Sequence, residues 1–431
     1  MARRLCYWLK GHEFFRGDCT IAGKAIRRAY IYSEGLAGLR FPEGHPWKGE
    51  RAQAAFELAS KLDLFSGDDV LVLAPQPAPE DALLSFHQRR YLDLLRKANR
   101  GPEAKEPEAE GATADKSVDD RLDEMLRHGL GTLDCPLFPH VYDYARLIVG
   151  GTLLGAELLE RGEVAVAFSP AAGLHHGGDD FASGFCYLND INVAINRLLR
   201  RGRRILYVDI DAHHGDQVQA AYWKDDRVLT LSFHETTRDL FPWKGGHESE
   251  IGEGRGKGYT VNVPLLGNTT DREFDYAFES VFPPLVELFR PDIVVAQLGV
   301  DTHYQDSLSH LRLTNNGYIH AVRRVVELSP KLLALGGGGY NQQVCTRGWT
   351  LAWALMRGID PESQSDGFGG LFWGDNLASL VDRPQFVPDE LRAPAREQVK
   401  RVVEYIQEHV FALHEAASKE QGAEKKKRDR P

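Results

Sequence analysis

The sequence predicts an α/β fold in which one mostly parallel central sheet carries helices on both faces. Two observations point there: short apolar, partly β-branched runs alternate with helical segments along most of the chain, and the connections between them are short. A third is size, since 431 residues at 42% hydrophobic content suffice for a large core.

Taken in order, residues 1–28 are mixed in charge and weakly patterned, and are expected to form an N-terminal extension; the main domain is expected over 29–415. From Arg28 the run Ala-Tyr-Ile-Tyr reads as a first strand, followed by a helix from Ala52 to Leu62, a strand from Asp69 to Ala74 and a helix opening near Pro79. Residues 102–124 carry nine acids against three bases and almost nothing apolar, so burial cannot offset their ordering entropy, and a solvated, mobile insertion is expected. The alternation then resumes. Helices are expected over 146–160 and 190–200, the latter with Asn189-Asp190 suited to an N-cap. Strands are expected over 164–168, 204–210, 228–233, 293–299 and 331–335. Helices over 273–289, bent at Pro283-Pro284, and over 316–328 complete the pairs. Val399, Val403, Ile406, Val410 and Leu413 recur at helical spacing, which predicts a docked terminal helix before a charged flexible tail over 416–431.

The formal net charge of −10 argues against a nucleic-acid-binding face. Five scattered cysteines without a Cys-x-x-Cys imply a reducing compartment, with neither a disulfide framework nor a thiolate zinc site. The N-terminal apolar run is too short for a signal-peptide core, and no stretch is long and apolar enough to span a bilayer, so a soluble, cytoplasmic protein with no membrane partner is expected.

Chemistry gathers at the ends of the strands. The central strand runs into Asp209, Asp211, His213, His214 and Asp216; if the chain stays extended, Asp209, Asp211 and His213 share one face. After strand 164–168 comes Gly173-Leu-His-His-Gly177, after 293–299 comes Asp301, and after 331–335 comes Gly336-Gly-Gly-Gly-Tyr340. A lone Asp-x-Asp is more often an acidic turn, and a lone histidine pair more often a surface or core feature. Four such groups on one edge of a parallel sheet, where ligands bind, make one site. Asp211, His213 and Asp301 offer three ligands with a coordination position left open, as in catalytic metal sites. Such a metal acidifies water and polarises a carbonyl, which suits amide or ester hydrolysis. His175 and His176 are placed to share the acid and base tasks, Asp209 and Asp216 to fix their tautomers, and Tyr340 to donate to an oxyanion.

Gly173-Leu-His-His, Ser183-Gly-Phe-Cys-Tyr-Leu-Asn-Asp-Ile191, Asp209-Ile-Asp-Ala-His-His-Gly-Asp216, Ser232-Phe-His, Gly299-Val-Asp301 and Gly336-Gly-Gly-Gly-Tyr340 resemble the zinc-dependent histone deacetylase superfamily, closest to its class I enzymes and the bacterial acetoin-utilisation group. The resemblance covers roughly residues 30–357 apart from the acidic insertion. It implies a single arginase-like α/β domain and a hydrolase that removes acetyl groups from N-acetyl-lysine. It implies zinc, with iron as the competing metal, on Asp211, His213 and Asp301, catalysis by His175, His176, Asp209, Asp216 and Tyr340, and a substrate channel involving Asp134, Gly184, Phe185, Phe241 and Leu308. It also implies a structural potassium ion on Asp209, Asp211, His213, Ser232 and Phe233. Three departures bear on the channel rim. His303 and Tyr304 stand where histone deacetylases generally carry smaller residues, and Leu308 stands where polyamine-preferring relatives place a glutamate. The segment from Phe241 to His247 is longer than the family's Phe-Pro-Gly turn. The expected substrate is an acetylated protein, the alternative a small acetylated amine such as an acetylpolyamine. A non-catalytic module that only binds acetylated ligands fits worse, because every catalytic position is filled.

Overall fold

The protein is described by a computed structural model over residues 6–10, 13–17, 20–21, 24–25, 27–36, 41–99, 122–361 and 377–416, with backbone pairing alone given before residue 27. Most of the acidic insertion and nearly all of the charged tail fall outside these residues. The N-terminal stretch contributes two short antiparallel pairs, Cys6–Lys10 with Glu13–Gly17 and Thr20–Ile21 with Lys24–Ala25.

Eight strands form the central sheet: β1 (Arg28–Ile31), β2 (Val70–Leu73), β3 (Val166–Ser169), β4 (Ile205–Asp209), β5 (Val228–Glu235), β6 (Thr260–Leu265), β7 (Ile293–Gln297) and β8 (Leu332–Leu335). They lie in the order β6-β5-β4-β7-β8-β3-β1-β2, and every pairing is parallel. The helices are α1 (Arg51–Lys61), α2 (Glu80–Leu83), α3 (Arg89–Ala98), α4 (Val141–Glu160), α5 (Asp190–Leu199), α6 (Asp216–Tyr222), α7 (Asp271–Phe289), α8 (Asn315–Leu328), α9 (Gln342–Met356) and α10 (Asp389–Ile406), with a further helical stretch over 122–127.

Side chains alternate across each strand, and the two faces feed separate cores. In β4, Leu206 and Val208 pack with α1, α7, α8, α9 and α10, whereas Ile205 and Tyr207 pack with α3, α4 and α5. In β8, Leu332 and Ala334 face the first core, Leu333 and Leu335 the second. Burial on both faces explains why β4, β7 and β8 are apolar up to their carboxyl ends, whereas β5 carries Thr230, Ser232 and His234 at alternate positions.

The elements depart from the sequence expectation in defined ways. Helix α4 begins at Val141 and α10 at Asp389, ahead of the expected 146 and 399, and α10 runs through Pro394. Helix α7 begins at Asp271, ahead of the expected 273, with Pro283 and Pro284 inside it and a capping box between Thr270 and Glu273 at its start. Strand β6 and helices α6 and α9 were not foreseen. The expected docking of the terminal helix holds for Val399, Val403, Ile406 and Val410, which are buried in the first core, whereas Leu413 of the expected stripe is 38% exposed; Arg392 pairs with Glu273 of α7 at 2.6 Å.

Phe278 is fully buried on α7, its ring 5.1 Å from Phe233 and 5.0 Å from Phe282. Phe278→Ala is expected to lower stability by about 3–5 kcal/mol, read as a lower urea midpoint at unchanged slope. Tyr276→Ala, at a position 47% exposed on the same helix, is expected to stay within about 0.5 kcal/mol.

Candidate active site

Strands β4 and β7 are neighbours, yet the chain leaves β4 toward β5 on one side and β7 toward β8 on the other. Helix α6, after β4, packs into the second core, and α8, after β7, into the first. A crevice opens beyond the carboxyl ends of two such strands. Asp211 leaves β4 and Asp301 leaves β7 at this point.

The chain does not stay extended past Asp209. Asp209 Oδ1 accepts the Asp211 N–H at 3.1 Å and Asp211 Oδ1 accepts the His213 N–H at 2.9 Å, two successive Asx-type turns that wind the segment inward. The three predicted ligands still converge: one ligand atom from each of Asp211, His213 and Asp301 lies within 4.8 Å of the others. His213 Nδ1 faces Asp211 Oδ1 at 3.1 Å and Asp301 Oδ2 at 3.0 Å. Both carboxylates are buried, and no arginine or lysine pairs with either among the described residues. Burial and the neighbouring Asp211 push the Asp301 carboxyl up to about 7. Two buried acids with one imidazole between them form a donor set that fits a borderline divalent cation, whose charge would relieve their repulsion.

The histidine pair lies against this cluster. His175 Nδ1–H donates to Asp209 Oδ2 at 2.7 Å and His176 Nδ1–H to Asp216 Oδ1 at 2.8 Å. The Nε2 of His175 is directed at the cluster, 3.9 Å from Asp211 Oδ1. Burial opposes charge on both rings. At His175 the Asp209 and Asp211 carboxylates outweigh it and raise the imidazole to about 9. At His176 burial and the adjacent His175 prevail over Asp216 and hold it near about 4. Tyr340 is half-buried with its ring 6.1 Å from that of His213; burial, then Asp301 and Asp211, keep its phenol protonated and able to donate.

Two phenylalanines flank the cluster. Phe241 stands edge-on to His176 at 4.9 Å, and Phe185 lies 5.7 Å from Tyr340, backed by His45 at 4.7 Å and Trp47 at 6.2 Å. Gly184 precedes Phe185 at φ 53°, and a Cβ there would meet His176 Cδ2 at 2.3 Å. Its N–H donates to Asp134 Oδ2 at 2.6 Å, so Asp134 anchors the loop that carries Phe185. Leu308 is half-buried, its N–H bound to Asp306 Oδ1 at 2.9 Å. His303, expected to alter the rim, is instead buried and binds Asp382 Oδ2 through Nε2 at 2.8 Å. Its bulk supports the loop after Asp301. For the second cation set, Asp209 is in register with Ser232, and Phe233 follows on β5.

Several supporting residues carry no spacing signal in the sequence. Gln297 Nε2 donates to Asp211 Oδ2 at 2.6 Å while its Oε1 accepts the Gly299 N–H at 2.8 Å. Tyr207 donates to Asp209 Oδ2 at 2.5 Å. Asp190 accepts the N–H groups of Gly173 and Leu174, holding the turn before the histidines. Asp306 Oδ2 accepts the Tyr340 N–H at 2.7 Å. Arg51 donates to the Gly339 carbonyl at 2.5 Å, and its guanidinium lies 3.9 Å from the Trp47 ring centroid. A hollow of about 310 Å³ near Arg238, His247 and Arg401 shares no lining residue with this cluster.

The profile of the histone deacetylase domain matches residues 45–356. The acetoin utilization protein AcuC of Bacillus subtilis is 37% identical over 339 residues, covering 77% of this chain and 82% of that protein. Histone deacetylase RPD3 of Saccharomyces cerevisiae is 34% identical over 337 residues, covering 77% and 72%. A crystal structure of an HDAC homolog from Aquifex aeolicus aligns with a TM-score of 0.72 at 30% identity, covering 88% of this chain and all of that one. With the fold and this agreement over most of its length, the chain belongs to the histone deacetylase family and is a deacetylase hydrolase.

Proposed function

We propose that this deacetylase removes acetyl groups from Nε-acetyl-lysine in proteins, with zinc on Asp211, His213 and Asp301 and potassium on Asp209, Asp211, His213, Ser232 and Phe233. The observation that carries the proposal is the meeting of two His–Asp pairs with the Asp211–His213–Asp301 cluster in one crevice flanked by two phenylalanines. A divalent cation held by Asp211, His213 and Asp301 would polarise the acetamide carbonyl and acidify a water.

The chain's own residues supply the rest. Asp209 and Asp216 hold Nδ1 of each histidine as a donor, which leaves Nε2 to exchange protons. Between them, His175 and His176 take a proton from the attacking water and deliver one to the departing lysine amine. Tyr340 donates to the oxyanion as the carbonyl carbon becomes tetrahedral. Phe185 and Phe241 accept the uncharged acylated stem, and the freed ammonium is less comfortable between them, which favours release. The half-exposed Asp134 at the rim is available to hold a peptide backbone, and Leu308 supplies no charge for a polyamine. Cys135, Cys186 and Cys345 are buried and unpaired, which suits the reducing cytoplasm. No helix among the described residues is long and apolar enough to cross a membrane.

Acetyl-lysine peptides are expected to be cleaved with higher kcat/KM than acetylated polyamines; the reverse order would overturn the protein-substrate assignment. Tyr340→Phe is expected to lower kcat by about 10²–10³-fold with metal content intact, and retained turnover would remove the oxyanion role. His213→Ala is expected to lose zinc and activity together, whereas full metal occupancy would exclude it as a ligand.

A further inference from the structure

Trp243 combines three properties that seldom coincide. It is 64% exposed, it adopts φ 61°, and it lies two residues past Phe241, the phenylalanine edge-on to His176. A positive φ is costly for any residue with a Cβ and is normally left to glycine. A large indole left mostly in solvent in that conformation gains little for the fold from burial. Strain of this kind concentrates where a side chain must be presented to a ligand. Two residues of chain span at most about 7 Å, so the Trp243 backbone lies within that reach of Phe241, whose ring stands edge-on to His176.

The loop presenting it is fastened. The Trp243 N–H donates to the Leu240 carbonyl at 3.2 Å, the buried His234 Nε2–H donates to the Gly246 carbonyl at 2.9 Å, and the Gly246 N–H donates to Glu250 Oε2 at 2.9 Å. Thr237 Oγ1 donates to the Gly245 carbonyl at 2.5 Å. The indole is therefore presented by a braced turn, which lowers the entropy lost on contact. Near the opposite wall, Leu133 is 96% exposed beside Asp134, whose carboxylate holds the Gly184 N–H next to Phe185. Two solvent-facing apolar side chains thus neighbour the two walls, and the residue after Trp243 is the exposed Lys244. Exposed apolar side chains beside both phenylalanines suit a peptide with apolar side chains.

We propose that Trp243 is a specificity-determining residue that contacts the side chain flanking the acetyl-lysine and selects peptides with aromatic or large aliphatic neighbours. The proposal rests on the protein-substrate function above and names the class of sequence read. It is tested with two acetyl-lysine peptides alike except that phenylalanine or serine flanks the acetyl-lysine on both sides, with acetylputrescine as a third substrate. The enzyme is expected to prefer the phenylalanine peptide by roughly five- to tenfold in kcat/KM, the scale of one aromatic contact, with the difference in KM. Trp243→Gly, which relaxes the backbone, is expected to bring that ratio to roughly one, and Trp243→Phe to keep most of it. Equal cleavage of the two peptides by the wild type, or an undiminished ratio in Trp243→Gly, overturns the role of Trp243 and leaves the protein-substrate function standing. Turnover of acetylputrescine with neither peptide cleaved overturns both.

Discussion

Two carboxylates that the fold buries side by side set the terms for everything around them. Asp211 and Asp301 leave adjacent strands at the point where the chain turns to opposite faces of the sheet, and neither receives an arginine or lysine among the described residues. Buried carboxylates short of counter-charge are among the costliest features a protein can hold. Here the arrangement is tolerable because hydrogen-bond donors surround it: Gln297 and the Gly338 N–H on Asp211, the Ala212 N–H on Asp301, and His213 between them. The remaining need for positive charge is what makes the cluster a candidate cation site.

The glycine-rich turn after β8 serves that constraint sterically. A Cβ on Gly338 would stand 2.2 Å from Asp301 Oδ2 and 2.6 Å from Asp211 Oδ2, so a side chain there would occupy the space of the ligand oxygens. The same turn ends in Tyr340, whose backbone Asp306 holds and whose ring lies between His213 and Phe185. Close backbone approach and the placement of the phenol are thus one feature. The supporting contacts reach far along the chain, from Arg51 on α1 to Asp382 beyond α9, which binds His303 in the loop after Asp301. A site assembled from so many segments depends on the sheet to bring them into register.

Much of this was legible in the sequence because strand ends that carry Asp, His and Gly interrupt apolar runs abruptly. What remained hidden has physical reasons. Helix α9 is buried on nearly all sides toward its C-terminal end, with Trp349, Thr350, Leu351 and Ala352 spread around it, so no polar stripe marks its period. Strand β6 is an edge strand containing Asn262 and Pro264, residues that depress a strand signal. Helix α6 is short and begins inside the motif that ends with Asp216, where the polar residues resemble a turn. Gln297, Tyr207 and Asp190 lie within or beside apolar segments, and only the three-dimensional pairing shows what each holds: Asp211, Asp209 and the turn before His175. His303 shows the opposite error: a conspicuous neighbour of a ligand that turns away from the site.

The most direct examination of the central claim is anomalous diffraction at the zinc edge from crystals of the purified protein. One peak is expected within roughly 2.0–2.2 Å of His213 Nδ1 and of a carboxylate oxygen from each of Asp211 and Asp301, the ordinary range for zinc with nitrogen and oxygen ligands. A fully occupied zinc peak elsewhere, with these three side chains bonded only to one another, would contradict it.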